Sequence, residues 1–178
     1  MRLALALIII ITSNFASGKI MLLDESVRNF ELDRYLGTWY EIARMDHSFE
    51  RGLSNVTAEY ALLENGKVSV TNRGFSDKKA KWKTAKGKAK FKANPGVGAF
   101  DVTFFWPFYG GYHIVLLAED YRYALVAGDS EKYLWILSRS SVLDPDDLEA
   151  ILARAMALGY NTEKLIWVDQ SLNLSSLP

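Results

Sequence analysis

The chain has 178 residues, 49% of them hydrophobic and 13% aromatic, which suits one domain with a sizeable core. Twenty-one basic against twenty-one acidic side chains give zero formal charge, which argues against a general nucleic-acid binder. The sequence contains no cysteine, so disulfides, thiolate metal sites and cysteine nucleophiles are excluded.

Residues 1–18 read as an export signal. Met1-Arg2 is a minimal positive start, Leu3 to Ile11 is an unbroken apolar run, and Ala16 and Gly18 suit cleavage after Gly18. Nine apolar residues are too few for a stable membrane span, which needs about 20. Residues 19–35 read as an N-terminal lead-in with a helical turn near Leu32–Leu36. The main domain is expected over 36–170, and 171–178 as a flexible tail.

From Leu36 the chain breaks into short strands with turn signals between them, the pattern of a sandwich or barrel. Leu36–His47 is the first strand, and Ser48 to Leu53 form a loop long enough to cross one end of a barrel. Asn55–Leu63 alternates, with Val56, Ala58, Tyr60 and Leu62 on one face. Asn65-Gly66 predicts a type I′ hairpin, which needs positive φ at both central residues. The returning strand places Val68, Val70 and Asn72 on one face.

Residues 78–92 carry eight lysines and no acid. Lys79, Lys81 and Lys83 are odd-numbered, whereas Lys86, Lys88, Lys90 and Lys92 are even. A regular strand would point half of them inward, so a one-residue bulge is expected near Thr84-Ala85, leaving Trp82, Gly87, Ala89 and Phe91 inside. After a turn at Asn94-Pro95-Gly96, Phe100, Val102, Phe104 and Trp106 alternate up to Pro107. Tyr109–Ala118, Tyr121–Gly128 and Lys132–Arg139 complete eight consecutive strands.

Asp144-Pro145 then reads as an N-cap and first helical residue, with Leu148, Ile151, Leu152, Ala155 and Leu158 as an apolar stripe and Gly159 as the stop. A short strand, Lys164–Val168, follows. Eight antiparallel strands can close and remove both sheet edges. The predicted fold is therefore all-β: an eight-stranded antiparallel up-and-down β-barrel, with one C-terminal α-helix packed outside and a short final strand.

Three separated blocks give this barrel a family likeness: Gly37-Thr38-Trp39-Tyr40, Asp120-Tyr121-Arg122-Tyr123 through Val126, and Tyr133-Leu134-Trp135-Ile136-Leu137-Ser138-Arg139. They resemble the lipocalins, most closely the bacterial branch, over about residues 31–170. Phe49-Glu50-Arg51-Gly52 and Pro107-Phe108-Tyr109-Gly110-Gly111-Tyr112 look like details of that branch. The resemblance implies a floor built from Gly37, Trp39 and Arg139, with the arginine lying across the indole, and a hydrophobic ligand held above it. Bacterial-branch signals end in a cysteine to be lipidated. This chain has Phe15-Ala16-Ser17-Gly18 there, so the expectation is an exported protein, periplasmic or outer-membrane associated, without a lipobox cysteine.

Strand parity nominates Val56, Ala58, Tyr60, Val70, Asn72, Phe91, Phe104, Trp106, Tyr112, Ile114, Tyr133 and Trp135 as the ligand-binding wall, against the alternative that they only fill the barrel. Tyr60, Asn72 and Tyr112 are possible polar anchors. Glu41 shares the parity of Trp39 and is expected as a floor-level carboxylate. His113 has outward parity and His47 ends the first strand near the rim. Neither has a neighbour that suggests a metal pair or a triad.

The expected activity is noncatalytic binding and transport or storage of fatty acids or lysophospholipids in the bacterial envelope, with no cofactor and no metal. A haem or tetrapyrrole carrier using His113 or His47 is the alternative, and a lipocalin-type enzyme acting on a lipid is a weaker one. The isomerase route that uses a cavity cysteine is closed to this chain. The lysine strand offers a peripheral membrane contact or a solvated outer face, and Phe105 and Phe108 leave a homodimer open. No nucleic-acid partner is expected.

Overall fold

The computed structural model describes residues 22–174; the export signal expected at 1–18 lies outside them, as do residues 175–178. Nine strands follow in order: β1 (Gly37–Arg44), β2 (Leu53–Leu62), β3 (Val68–Ser76), β4 (Lys81–Phe91), β5 (Ala99–Phe105), β6 (Phe108–Leu117), β7 (Tyr123–Ala127), β8 (Leu134–Ser138) and β9 (Ile166–Trp167). Four helices accompany them: α1 (Leu22–Glu25), α2 (Leu32–Tyr35), α3 (Pro145–Ala157) and α4 (Ser171–Leu174). Each of β1 to β7 pairs antiparallel with the next. β8 then returns to β1 through Tyr40↔Ser138 and Glu41↔Leu137, closing the barrel. β9 takes the stretch of β1 that β2 leaves free, pairing Ala43↔Trp167 and Arg44↔Ile166.

Alternation along the strands sorts the apolar side chains into two cores. Trp39, Ala58, Tyr60, Val68, Val70, Ala89, Phe100, Ile114, Val126 and Leu137 face inward with Phe30 and Tyr35. Ala43, Val115, Leu125, Ala127, Leu134 and Ile136 face outward, beneath Ile151, Ala155 and Leu158 of α3. The helix begins as its sequence dictates. Asp144 caps it by accepting from the Asp146 amide at 2.9 Å, and Pro145 holds the first position. Two ion pairs fasten it: Arg154 reaches Glu25 at 2.7 Å and also donates to the Val115 carbonyl, and Arg122 meets Asp147.

Four details differ from the sequence reading. β4 has no bulge at Thr84-Ala85; its register on β3 is unbroken from Val68↔Ala89 to Ser76↔Lys81. Lys81 and Lys83 therefore share the inner parity of Gly87 and Ala89. They remain exposed because this half of β4 rises above the packed core, where the inner face is open to water. Trp82 consequently lies on the outer face, under the Arg73 guanidinium at 3.8 Å and against Phe75. The hairpin after β2 is longer than a two-residue turn. Gly66 N–H donates to Leu63 O at 2.9 Å and only Gly66 takes positive φ, so the strand ends reach farther before turning. Residues 171–174, expected within a tail, form α4, anchored by the Leu172 amide on Asn55 Oδ1 at 2.8 Å.

Candidate functional site

The closed end is built on β1. Gly37 takes φ +94°, and Arg139 crosses from the end of β8 to lie 3.9 Å above the fully buried indole of Trp39. Arg139 donates from Nη1 to Thr38 O at 2.8 Å and from Nη2 to Arg34 O and Leu36 O at 2.8 and 2.9 Å. Trp39 Nε1 donates to Tyr35 O at 2.8 Å. One guanidinium thus joins α2, β1 and β8, and the floor is sealed with no polar group left for a ligand.

Above the floor the interior is solid. Tyr112 Oη stands between Tyr35 Oη at 2.6 Å and Tyr60 Oη at 2.8 Å. Burial pushes all three phenols above their ordinary range. Phe30 enters from the lead-in and packs edge-on to Phe91 and Phe100. Among these side chains lies a void of about 10 Å³ bounded by Leu32, Tyr60, Val68, Phe100 and Tyr112 among others, room for a single water at most.

A polar network sits higher, and strict alternation would not place it there. β1 slips one residue against β8 between Glu41 and Ala43. Glu41 lies opposite inward Leu137, Ala43 opposite outward Ile136, and Arg44 opposite Trp135, so the bulge brings Arg44 inside beside Glu41. Arg44 Nη1 meets Glu41 Oε1 at 2.6 Å, while Nη2 donates to Glu50 O at 2.8 Å and Leu53 O at 3.2 Å, pinning the loop between β1 and β2. Glu50 Oε2 accepts from Trp135 Nε1 and lies 3.0 Å from His47 Nε2. Burial, then the nearby Glu50 charge, raises the Glu41 carboxyl well above its usual range despite Arg44. Burial also pushes Glu50 upward, but the bonds from His47 and Trp135 and the charges of His47 and Arg44 outweigh it, and the net shift is downward. Glu41 is therefore part of an upper network and not a floor carboxylate. The readable signal was the spacing of three through Glu41, Arg44, His47 and Glu50.

Residues 30–170 match the family model described as a lipocalin-like domain. The chain is a lipocalin. It is 49% identical over 144 residues to the outer membrane lipoprotein Blc of Citrobacter freundii, covering 81% of each chain. It is 48% identical over 145 residues to the Vibrio cholerae Blc, covering 81% of this chain and 85% of that one, and 32% identical over 151 residues to mouse apolipoprotein D, covering 80% and 78%. Among solved structures, the cockroach allergen Per a 4 superposes with a TM-score of 0.68 at 24% identity, covering 84% of this chain and 94% of that one. Insecticyanin of Manduca sexta gives 0.66 at 22%, covering 81% and 82%; at these identities the likeness speaks for the fold alone.

The lipocalin barrel distributes the nominated wall residues unevenly. Ala58, Tyr60, Val70 and Ile114 are packed in the inner core, with Phe91, Phe104, Tyr112 and Trp135 against it. Val56 is buried farther up, where a Cβ on Gly74 would lie 3.1 Å from it. Asn72 keeps a buried Oδ1 without a hydrogen-bond partner. Tyr133 stacks on Trp135 and Phe49. Trp106 stands 81% exposed at the tip of the β5–β6 hairpin, outside the interior. The sizeable opening is a groove of about 410 Å³ at β4 and β5, where Phe104 and Trp106 meet Gly87, Ala89 and lysines. His113 keeps its outward parity but is buried under α1 and its flank, with Nδ1 3.2 Å from Ser26 Oγ. Burial, aided by Lys92, lowers its pKa. Among the described residues no group of three His, Asp or Glu side chains could hold a metal ion.

Proposed function

We propose that this lipocalin binds one single-chain amphiphile, a fatty acid or a lysophospholipid, and carries or stores it in the bacterial envelope without acting on it chemically. The observation that carries the reading is the contrast within one barrel: a sealed lower half, and higher in the wall a groove of about 410 Å³, apolar along Ala89, Phe104 and Trp106 and basic at its rim, within the size range of small-ligand sites. Burying an acyl chain yields about 0.8 kcal/mol per methylene, so a long chain needs few polar contacts to be held. Phe104 and Ala89 at the groove, with the wall residues Val70, Asn72 and Trp135, are the surface we assign to that chain, and its passage inward displaces aromatic side chains of the inner core. The outer membrane lipoproteins among its relatives support an envelope location. Neither histidine lines the groove, which leaves the haem reading without a site there. Titration with a fluorescent fatty acid, followed by displacement with lysophospholipid, tests the proposal. Saturation at one probe per chain and full displacement are expected. Absence of saturable binding refutes it.

A further inference from the structure

β4 and β5 pair only from Phe91↔Phe100 to Lys88↔Thr103, although β4 continues to Lys81 and β5 to Phe105. The cause lies on the other side of β5, whose register on β6 slips between Val102 and Phe105. Such a bulge bends and twists its strand, and β4 and β5 part beyond Lys88↔Thr103. A groove of about 410 Å³ opens on this part of the barrel wall, which we call the slot. Its inner lip is Gly87, Ala89 and Phe104; its outer lip is Lys67, Lys86, Lys88 and Lys90. At Gly87 the wall is closed, because an added Cβ would fall 2.7 Å from the Thr103 carbonyl oxygen and 2.9 Å from the Phe104 ring.

The lysines around the slot are not equivalent. Lys90 and Lys92 both approach Asp101, and Lys92 also lies 3.5 Å from Asp129. Among the described residues, Lys67, Lys86 and Lys88 have no carboxylate within ion-pair distance, in a chain whose total charge is zero. Thr103 Oγ1, at the same slot, is buried without a hydrogen-bond partner. Protection of the bare edge of β4 accounts for lysines along Lys81–Gly87. It does not account for Lys67, which arrives from the β2–β3 hairpin to complete the cluster.

We propose that the slot is the headgroup subsite for an anionic single-chain amphiphile. A phosphate or carboxylate sits outside the wall among Lys67, Lys86 and Lys88, and the chain lies in the groove along Phe104, Trp106 and Tyr109. The inference rests on the amphiphile-binding reading above and adds the headgroup's charge and the side of the barrel from which it is held. A cationic or uncharged headgroup gains nothing from this lip.

The test compares the wild type with the triple variant Lys67→Gln, Lys86→Gln, Lys88→Gln. Both are titrated at low salt, below micelle-forming concentrations, with palmitate, palmitoyl lysophosphatidic acid and the uncharged monopalmitin. The variant is expected to bind both anionic probes about tenfold more weakly or worse, since each basic residue near an anionic group contributes on the order of 1 kcal/mol. Monopalmitin affinity should stay within about twofold, and raising the salt should weaken only the wild type's grip on the anions. A larger loss for lysophosphatidic acid than for palmitate identifies phosphate as the preferred headgroup. Equal affinities of variant and wild type for the anionic probes overturn the inference while leaving the amphiphile reading standing. Failure of the wild type to bind any probe overturns both. Loss of binding to phosphatidylglycerol vesicles, with monomer binding unchanged, also overturns it by making the lysines a membrane-docking face.

Discussion

Replacing Arg139 with alanine should cost stability and spare binding. The side chain donates three hydrogen bonds to backbone carbonyls and covers the Trp39 indole at 3.9 Å. A hydrogen bond from a charged donor contributes roughly 1.5–3 kcal/mol when its acceptor is cut off from water. Only the Leu36 acceptor is part-buried; the bonds to Thr38 and Arg34 are exposed, and those carbonyls regain water. Solvent screening reduces these two to a few tenths of a kcal/mol, and the cation–π contact adds about 0.5–2 kcal/mol. The expected loss is about 2.5–5.5 kcal/mol. Arg139→Lys keeps a cation over the ring but cannot fork to three carbonyls, and should recover at most about half. Urea unfolding followed by tryptophan fluorescence reads the loss as a lower midpoint at constant slope. Affinity for a fluorescent fatty acid should move less than about twofold, because Arg139 seals the end of the barrel opposite the slot. A folded alanine variant that loses less than about 1 kcal/mol, or full recovery by lysine, would falsify this account of the floor.

Three other substitutions separate the layers above it. Tyr112→Phe removes the hydroxyl shared by Tyr35 and Tyr60 and strands two buried phenols, so a loss of about 1–3 kcal/mol is expected in the same unfolding assay. Glu41→Gln tests the raised carboxyl by the pH dependence of stability. With a folded pKa above the unfolded value of about 4.3, Glu41 supports folding at acid pH, and that support drains away as pH rises through the folded pKa. The wild type should therefore lose stability relative to Glu41→Gln as pH rises above the ordinary carboxylate range; a difference that stays flat refutes the shift. Asp144→Ala removes the cap on Asp146 N and should cost about 1 kcal/mol with amphiphile binding unchanged, which separates the outer helix from the site.

Much of the barrel was legible because its rules are local. Val68 and Val70 alternate into the core, and Asp144-Pro145 opens the helix, because strand parity and capping are decided within a few residues. The misreadings come from places where locality fails. The lysine pattern of β4 suggested a bulge only on the assumption that an inner face is dry along its whole length, and Lys81 and Lys83 stand above the core. Conversely, the bulge that does exist in β1 leaves no mark at Ile42. It shows only in what it brings together: Arg44 opposite Trp135, with Glu41 already inside. The slot was hidden for the same reason, since it depends on how β5 sits on β6 and not on any residue of β4.

The closure of the barrel also has a kinetic side. Every neighbouring pair from β1–β2 to β7–β8 is a hairpin-like contact, but β8 meets β1 across about a hundred residues, and the Arg139–Thr38 bond spans 101 positions. Closing a loop of that size costs on the order of 4 kcal/mol of chain entropy, so the seam should form late, after the meander has assembled. Changes at the seam should then accelerate unfolding more than they slow refolding. The species released is an open sheet with β1 and β8 as bare edges, each able to pair with another chain. A single guanidinium at the seam therefore governs how long the barrel stays closed at high concentration, a property that measurements at equilibrium do not register.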